Sequence, residues 1–495
     1  MAGRSPRGAP LLIPLDAAAP EPLYRQIYRA LREHILSGRL TTGVRLPSTR
    51  TLARELGVSR NTVLAAYDQL LAEGYLAGRV GSGTVVAASD ARRPAGVEGL
   101  RSSSPSGGKR VGSRRASSVA ALPVRLSLLD GDSRAFRPGV PALDEFPLQV
   151  WRRLAARRWQ GASRDLLDYG DPRGYRPLRE AIAGYLGAAR GVRCHPEQVL
   201  IVTGSQQALD LTARVALDPG DTAWIEDPGY FGARGALLAA GARVVGVPLD
   251  DEGLSVQAGV ARAPDARLVY VTPSHQFPAG MTMSLARRLA LLDWARQSGA
   301  WVLEDDYDSE FRYASRPLSA LQGIDVDGQV IYSGTFSKVL FPSLRLGYLV
   351  APPALVDAFV STRLFSDTHT PTVEQAVLAD FIDEGHFERH VRRMRALYYE
   401  RQQVLLESVA RELAPVLTIG ATEAGMHVVG WLPPAADDSA VSREAAHHGV
   451  DALAISAFAL ERAHRGGLVL GYSHLAPDEI RRAVRKLGCA TRSLA

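Results

Sequence analysis

The chain has 495 residues, of which 46% are apolar, so it is long enough for two or more packed domains and too hydrophobic to be largely disordered. No apolar run approaches the roughly 18 residues that cross a bilayer, the N-terminal stretch is too short for a signal peptide, and two cysteines are too few for a disulfide framework or a cysteine zinc site. Residues 1–125 hold 19 basic and 8 acidic side chains, against 39 and 44 in the rest, within a total net charge of +6. These features predict a cytoplasmic protein whose basic N-terminal part either contacts a polyanion or is a solvated basic face.

Residues 20–88 are predicted to form a small domain with three helices. The first helix, within 21–36, places its apolar side chains at the spacing of one helical face. Ser48 can cap a second helix that stops at Gly57, and Ser59 can cap a third. The third helix would leave its first residues facing outward and bury a stripe made of Val63, Ala66, Tyr67 and Leu70.

The turn at 57–58 joins the second and third helices into a helix-turn-helix. The second helix of such a motif usually enters the major groove by its N-terminal residues, so Arg60 and Asn61 are candidates for base-edge contacts. Residues 74–76 and 84–86 are predicted to be two strands around a glycine turn, a small wing whose tip can approach phosphate. The alternative is a helical module that contacts protein.

A family resemblance covers this whole domain, 22–86. The sequences Leu-Pro-Ser-Thr-Arg at 46–50, Val-Ser-Arg-Asn-Thr-Val at 58–63 and Gly-Ser-Gly-Thr at 81–84 resemble the winged-helix domain of GntR-type regulators. Leu64 replaces an arginine found in some relatives, so a base preference does not carry over. The resemblance implies DNA contacts from Arg45, Ser48, Arg50, Arg60, Asn61, Thr62 and Gly81.

Two segments are predicted to lie outside the packed domains. Residues 1–19 are expected to be an N-terminal tail. Residues 89–125 are rich in serine, glycine, proline and arginine and have neither a helical nor a strand period, which predicts a flexible basic linker. The arginines of this linker either add nonspecific phosphate contacts or belong to a soluble spacer.

From residue 126 to 495 apolar strands alternate with helices, which predicts an α/β domain with a mostly parallel sheet. Ligands of such sheets bind at the carboxyl ends of the strands, so the loops there should carry the chemistry. The strands are predicted at 199–202, 222–225, 243–248, 268–272, 301–304 and 329–332, with helices at 206–217 and 285–297.

Two of these loops suit charged ligands. Residues 203–207 lie between a strand and a helix, where free N–H groups favour a phosphate, although a serine N-cap alone would explain them. Residues 304–308, Glu-Asp-Asp-Tyr-Asp, suit a divalent metal or a positively charged ring nitrogen. Because no histidine is arranged near this acidic stretch in the sequence, we predict no metal site.

Lys338 follows the strand at 329–332 in a chain that has only two other lysines, Lys109 and Lys486, among 58 basic residues. It could be a surface residue. However, only lysine can lose its proton and form an imine with an aldehyde, whereas arginine stays protonated. With the two charged loops and Tyr230, an aromatic side chain in an otherwise ordinary turn, Lys338 meets the requirements for binding pyridoxal 5′-phosphate (PLP).

These motifs, together with Asp-Tyr-Gly-Asp-Pro-Arg-Gly at 168–174 and the stretch 273–280, resemble fold-type I aminotransferases over nearly the whole body. The resemblance implies a large domain with a smaller C-terminal α+β subdomain. It implies that Lys338 is the Schiff-base lysine, that Asp305 pairs with the pyridine nitrogen and that Tyr307 meets the ring hydroxyl. The other implied cofactor contacts are stacking by Tyr230, phosphate binding by Ser205, Gln206, Thr335 and Arg345, and a contact from Tyr169 of the partner subunit.

Two departures from that family weaken the case for efficient transamination. Residues 277–280 read Phe-Pro-Ala-Gly where these aminotransferases read Asn-Pro-Thr-Gly, so a polar contact to the ring oxygen is lost. Residues 467–472 carry no arginine where a substrate-carboxylate arginine is expected, and Arg462 and Arg465 are only neighbours.

A GntR-type head joined to an aminotransferase-like body is the arrangement of the MocR subfamily of bacterial regulators. The resemblance implies a homodimer with head-to-tail domain exchange that binds promoter DNA at the nucleoid. Its body would sense a small amine, an amino acid or PLP itself through the Lys338 aldimine, with little or no turnover. The alternatives are an active aminotransferase whose head targets or autoregulates it, and a protein-interaction head on a dead enzyme.

Overall fold

The protein is described by a computed structural model that covers residues 13–79, 83–87, 112–122, 135–313, 318–420, 422–461 and 465–492. The chain divides into two compact units, 1–110 and 111–495. Hydrophobic cores of buried side chains lie within each unit. None of the helices formed by these described ranges is both long enough and apolar enough to cross a membrane.

The first unit is a helical head with a small antiparallel sheet. Its elements are α1 (Leu23–Leu36), α2 (Thr49–Leu56), α3 (Arg60–Ala72), β1 (Leu76–Arg79) and β2 (Gly83–Val86). The Ser48 hydroxyl accepts from the Thr51 N–H at 3.2 Å, and the Ser59 hydroxyl accepts from the Thr62 N–H at 3.1 Å. Gly57 ends α2 with a left-handed φ of 66°. The caps and the stop predicted from the sequence are confirmed.

The core of the head contains the predicted stripe of α3, which packs against Ile27 and Leu31 of α1. Ile13 is buried in the same core, and the Asp16 N–H donates to Gln26 Oε1 at 2.8 Å. The predicted tail, 1–19, was therefore too long, because an apolar side chain ties its last part to the head.

The second unit contains the remaining elements. Its helices are α4 (Arg114–Ala120), α5 (Leu148–Gln160), α6 (Arg164–Leu167), α7 (Arg176–Arg190), α8 (Ser205–Ala216), α9 (Phe231–Ala240), α10 (Val256–Arg262), α11 (Leu285–Ser298), α12 (Leu321–Ile324), α13 (Val356–Leu364), α14 (Thr372–Asp383), α15 (His386–Glu412), α16 (Asp438–His447) and α17 (Pro477–Arg492). Its strands are β3 (Val199–Val202), β4 (Thr222–Asp227), β5 (Arg243–Asp250), β6 (Gly253–Leu254), β7 (Leu268–Val271), β8 (Trp301–Asp306), β9 (Val330–Thr335), β10 (Gly347–Val350), β11 (Thr418–Ile419), β12 (His427–Trp431), β13 (Leu453–Ala454) and β14 (Gly467–Gly471).

The large sheet of this unit has the order β3-β10-β9-β8-β7-β4-β5-β6. Strands β5, β4, β7, β8 and β9 are parallel, as predicted, and β10 is antiparallel to both of its neighbours. Alternate residues of β3 belong to different cores, Val199 and Ile201 to one and Leu200 and Val202 to another. The sheet is therefore covered on both faces, as its continuous apolar strands require.

A second sheet lies toward the C-terminus, with the order β11-β12-β14-β13 and antiparallel pairing throughout. Helices α16 and α17 pack together beside it, and α17 also packs on the long helix α15. This arrangement is the smaller α+β subdomain that the resemblance implied.

The segment predicted as a flexible linker, 89–125, contains the helix α4. The Ser113 hydroxyl caps this helix by accepting from the Ala116 N–H at 3.2 Å. The helix packs on α9, where Leu122 comes 3.6 Å from the position that a side chain on Gly235 would take. The expectation of no regular structure was wrong for this part of the segment, because a capped turn and one apolar residue tie it to the second unit.

Candidate functional site

Lys338 lies just after β9, at the carboxyl end of a parallel strand. Its neighbours Phe336, Val339 and Leu340 are buried, and its Nζ donates to the Gly139 carbonyl at 2.9 Å. Burial lowers the pKa of this ammonium, while the nearby carboxylate of Asp308 acts to raise it. A lysine held in such surroundings is closer to its neutral, nucleophilic form than a surface lysine is.

Asp305 is the carboxylate that faces this pocket from the neighbouring strand. The sequence predicted it in a loop after the strand, but β8 runs two residues further because Asp305 and Asp306 pair with β9. Tyr270 donates to Asp305 Oδ2 at 2.9 Å, whereas the buried Oδ1 has no hydrogen-bond partner among the residues that the structure describes. Burial raises the pKa of Asp305 to about 7, while the Tyr270 hydrogen bond and the nearby Ser205 hydroxyl oppose this.

Tyr307 follows Asp305 by two residues, and its hydroxyl lies 3.0 Å from Nδ1 of His275. The same nitrogen is 2.9 Å from Asp308 Oδ2. The expectation that no histidine lies near the acidic stretch 304–308 was wrong, because the turn after β7 brings His275 to it from a distance in sequence.

The ring of His427, on β12, is tilted against the His275 ring with 4.8 Å between the centroids, and with Asp308 the two imidazoles offer ligand atoms within 4.8 Å of one another. Such a group could hold a metal ion. One nitrogen of each imidazole is already engaged, however: His275 Nδ1 with Asp308, and His427 Nε2 as donor to the Pro278 carbonyl at 3.1 Å. Burial holds the pKa of His427 well below its usual value, with His275 and Lys338 adding to the effect. The arrangement favours a hydrogen-bonded group over a metal site.

The start of α8 forms an anion cradle at the carboxyl end of β3. Gly204 precedes the helix with a φ of 116°, and Ser205 is its first residue, so unpaired N–H groups of the first turn point outward. The guanidinium of Arg345 lies near Gly204, since a side chain there would come within 3.7 Å of it.

Gln206 and Tyr230 stand side by side at the same edge of the pocket. The Gln206 amide donates to the Gly232 carbonyl at 3.0 Å, and a side chain at Gly232 would collide with both residues. The Tyr230 ring meets Phe277 edge-on at 5.8 Å. Thr335, the last residue of β9, accepts from the Ser337 N–H at 3.2 Å. Of the implied cofactor contacts, all but one therefore fall on adjacent strand ends.

The exception is Tyr169, which is 87% exposed and whose ring lies edge-on to the His369 ring at 6.3 Å. Phe365 is 89% exposed, and Leu167 and Leu364 are exposed as well. Nothing within the described part of the same chain brings Tyr169 to Lys338.

The two departures noted in the sequence have structural counterparts. Phe277 lies among aromatic rings, edge-on to Tyr307 at 6.0 Å and to Phe458 at 5.2 Å. Strand β14, in the stretch where the substrate-carboxylate arginine was expected, consists of buried glycine, leucine and valine residues. Arg465 lies over the Trp431 ring at 5.5 Å and donates to the Leu432 carbonyl, and Arg462 lies outside the described residues.

In the head, most of the predicted DNA-contacting residues lie at the starts of α2 and α3. Arg50, Arg60 and Asn61 are exposed, and Arg60 Nε is 3.5 Å from the Thr49 hydroxyl. The hydroxyls of Ser48 and Thr62 take part in the two N-caps. The Arg45 side chain lies against Gly83 of the wing. Gly81 lies outside the described residues.

The residues that sequence reasoning missed are Gly139, Tyr270, His275 and His427. Each reaches the site from an element far away from Lys338 in sequence, and only His275 lies in a stretch quoted for the resemblance, 273–280, where no role was given to it. Only His275 had a usable signal, since a histidine in a loop after a buried strand is at the edge where ligands bind.

Comparison with known proteins places both units in families. Residues 23–86 match the bacterial regulatory proteins of the gntR family, and residues 139–487 match aminotransferase class I and II. The chain is 44% identical to the probable rhizopine catabolism regulatory protein MocR of Rhizobium meliloti, over 97% of this chain and 96% of that protein. It is 34% identical to the uncharacterized HTH-type transcriptional regulator YhdI of Bacillus subtilis, over 96% and 97%.

Among solved structures, the α-aminoadipate aminotransferase LysN of Thermus thermophilus, complexed with N-(5′-phosphopyridoxyl)-L-leucine, matches with a TM-score of 0.71 and 32% identity. The match covers 77% of this chain and 97% of that one. Fold and matches together define a helix-turn-helix transcription regulator joined to an aminotransferase domain. The chain belongs to the MocR subfamily of GntR-type transcription regulators.

Proposed function

We propose that this regulator binds PLP at Lys338 and that binding of a small amine or amino acid at the same site changes the affinity of its head for promoter DNA. The observation that carries the proposal is the buried Oδ1 of Asp305, which has no hydrogen-bond partner among the described residues. A buried carboxylate oxygen without a donor is costly unless a ligand supplies one, and a protonated pyridine nitrogen is such a donor.

The rest of the pocket fits PLP as well. The first turn of α8 and the nearby Arg345 suit a phosphate. Tyr230 offers a ring face at the pocket edge, and Lys338 has a depressed pKa. When bound, PLP supplies an aldehyde that condenses reversibly with primary amines. The chain's own residues would orient the ring, keep the pyridine nitrogen protonated through Asp305, and let Lys338 give up its proton.

A sensing role suits this pocket better than sustained transamination. An aminotransferase binds the substrate carboxylate firmly, but β14 offers buried apolar side chains where that arginine is expected. Phe277 takes the place of a polar contact near Tyr307. A vestigial aminotransferase domain, with at most residual half-transamination, is therefore our reading of the second unit.

Exposed apolar side chains in two segments, 167–169 and 364–365, support a homodimer. Leu167, Tyr169, Leu364 and Phe365 are all exposed, and the Tyr169 ring lies edge-on to His369, which follows Phe365 closely in the chain. Monomeric proteins tend to avoid large exposed apolar patches. We propose that this surface, the Tyr169 patch, packs on a second copy and brings Tyr169 to the cofactor phosphate of the partner subunit. A dimer would also present two heads to paired half-sites in DNA.

The proposal is tested by titrating the purified, PLP-loaded protein with primary amines and amino acids. Visible absorbance and the anisotropy of a labelled DNA fragment from upstream of the protein's own gene are followed together. We expect at least one primary amine to change both signals, whereas a tertiary amine of similar shape, which cannot condense with an aldehyde, changes neither. Sustained amino-group transfer to an oxo acid at enzyme-like rates would show that the second unit is an active aminotransferase instead.

A further inference from the structure

A fully buried histidine stands behind Tyr307 at the edge of the pocket. His275 and Asp308 expose 2% and 1% of their side chains. Nδ1 of His275 lies 2.9 Å from Asp308 Oδ2 and 3.0 Å from the Tyr307 hydroxyl, so a single nitrogen serves both neighbours. The other ring nitrogen, Nε2, has no hydrogen-bond partner among the described residues.

The position of the protons follows from this geometry. An ionised carboxylate only accepts hydrogen bonds, so Nδ1 must carry the proton that faces Asp308. The Tyr307 oxygen, at a similar distance, then accepts a share of that N–H and cannot donate its own proton to Nδ1. Nε2 is left as an unprotonated lone pair, which costs less without a partner in a buried site than an unpaired N–H would.

We propose that His275 is a positioning residue of the PLP site: held by Asp308, it donates from Nδ1 to the Tyr307 oxygen and thereby directs the Tyr307 O–H at the ring oxygen of the cofactor. This inference rests on the proposed function, since it concerns the same site. It also explains how the site tolerates Phe277 in place of asparagine. A Tyr307 hydroxyl with a fixed O–H direction would compensate for the polar contact to the ring oxygen that phenylalanine cannot make.

The surroundings of His275 hold it in one orientation. A side chain at Gly425, whose φ is 101°, would collide with the imidazole. The next residue, Gln276, fixes the loop by donating to Glu226 at 3.1 Å, to the Pro228 carbonyl at 3.0 Å and to the Phe277 carbonyl at 2.7 Å. A ring packed this tightly can set the direction of a neighbouring hydroxyl.

The expected effect is on the pH at which the PLP-loaded protein loses its visible absorbance band. A phenol that donates to the ring oxygen stabilises the negative charge there, so the protonated nitrogen of Lys338 releases its proton more easily. Without that donor the midpoint of the colour change moves to higher pH.

The titratable groups that face Tyr307 and His275 are Glu226 from β4, Asp305 and Asp306 from β8, Asp308 from the following turn, Lys338 from the end of β9 and His427 from β12.

Two substitutions of His275 form a matched pair. His275→Leu removes the Nδ1–H, and the midpoint should rise by about one pH unit, the effect of one hydrogen bond to a charged acceptor. His275→Asn keeps an N–H close to the position of Nδ1 and should restore most of the wild-type midpoint. Tyr307→Phe should raise the midpoint at least as much as His275→Leu, and the double variant no further than Tyr307→Phe, because both act through the same hydroxyl.

The outcomes separate the inference from the proposed function. If wild-type protein takes up no PLP, the proposed function is wrong. If it does, and His275→Leu titrates like wild type or His275→Asn titrates like His275→Leu, the positioning role is wrong. Should His275→Leu fail to fold, ¹⁵N spectra of histidine-labelled wild-type holoprotein decide the matter: a protonated Nδ1 with an unprotonated Nε2 supports the inference, and the opposite tautomer overturns it.

Discussion

The ammonium of Lys338 donates its hydrogen bond to the carbonyl of Gly139, a residue 199 positions earlier in the chain. Gly139 has a φ of 73°, and a side chain there would lie 2.6 Å from Lys338 Nζ. The loop at Gly139 therefore touches the reactive group directly, and an added side chain there would displace the ammonium.

The substitution Gly139→Ala should weaken PLP binding at least tenfold, because the added methyl group displaces Lys338. Gly220→Ala is the matched control: its φ is 103°, but nothing lies within 4 Å of the added atom. Both variants should lose about 1–2 kcal/mol of stability from backbone strain. Thermal melts measure that common loss and absorbance titrations measure PLP affinity. Equal PLP affinities in the two variants would contradict a steric role for Gly139.

Lys338→Ala should abolish the visible absorbance of the PLP-loaded protein, since alanine cannot form the covalent bond to the aldehyde. Lys338→Arg should abolish it too, although the charge is kept, because arginine does not lose its proton. Lys486→Ala, an exposed lysine of α17, is the control and should stay yellow. Retention of the band in Lys338→Ala would refute the cofactor assignment.

The stability of the PLP-free protein should fall as pH rises toward neutrality. Burial raises the pKa of Asp305 from 3.8 to about 7, so the folded form keeps a proton that the unfolded chain releases. One such group costs about 1.4 kcal/mol per pH unit between its two pKa values. Asp305→Asn removes this contribution, so the PLP-free variant should be clearly more stable than wild type at about pH 8 and similar to it near pH 4. Urea unfolding at several pH values measures the difference, and parallel profiles would contradict it.

Arg60→Ala should weaken binding to the promoter fragment by about 1–3 kcal/mol, roughly fivefold to 150-fold, if Arg60 reads a base edge. The absorbance of the PLP-loaded protein should not change. Arg39→Ala is the control, because Arg39 is exposed and follows α1, outside the two helices of the helix-turn-helix. Its guanidinium pairs with Glu33 of α1. Anisotropy titrations at several salt concentrations separate the two roles: an equal loss on unrelated DNA would make Arg60 a phosphate contact only.

Phe365→Arg should shift the protein toward monomer, because it places a charge on the most exposed apolar side chain of the proposed Tyr169 patch. Val326→Arg is the control, since Val326 is 81% exposed but lies between α12 and β9, away from that patch in the sequence. Sedimentation velocity measures the oligomeric state. A Phe365→Arg variant that remains dimeric would place the subunit interface elsewhere.

Local features of the fold followed from the sequence, whereas the contacts that complete the site did not. Caps such as Ser48 and Ser59 are set by the few residues around them, and the parallel strands follow from their apolar runs. Lys338 and Asp305 could be found because the chemistry of PLP requires their side-chain types. The antiparallel direction of β10 and the approach of Gly139 and His275 depend on contacts across long stretches of chain, which no local period encodes.

The unpartnered oxygen of Asp305 also has a consequence for how long the protein persists in a cell. A ligand that binds only the folded state adds about 2.7 kcal/mol to its stability at a hundred times its Kd. Loaded chains would then open less often and escape proteolysis longer than empty ones. On the proposed function, the abundance of this regulator would itself follow the supply of the vitamin B6 cofactor, before any effector reaches the pocket.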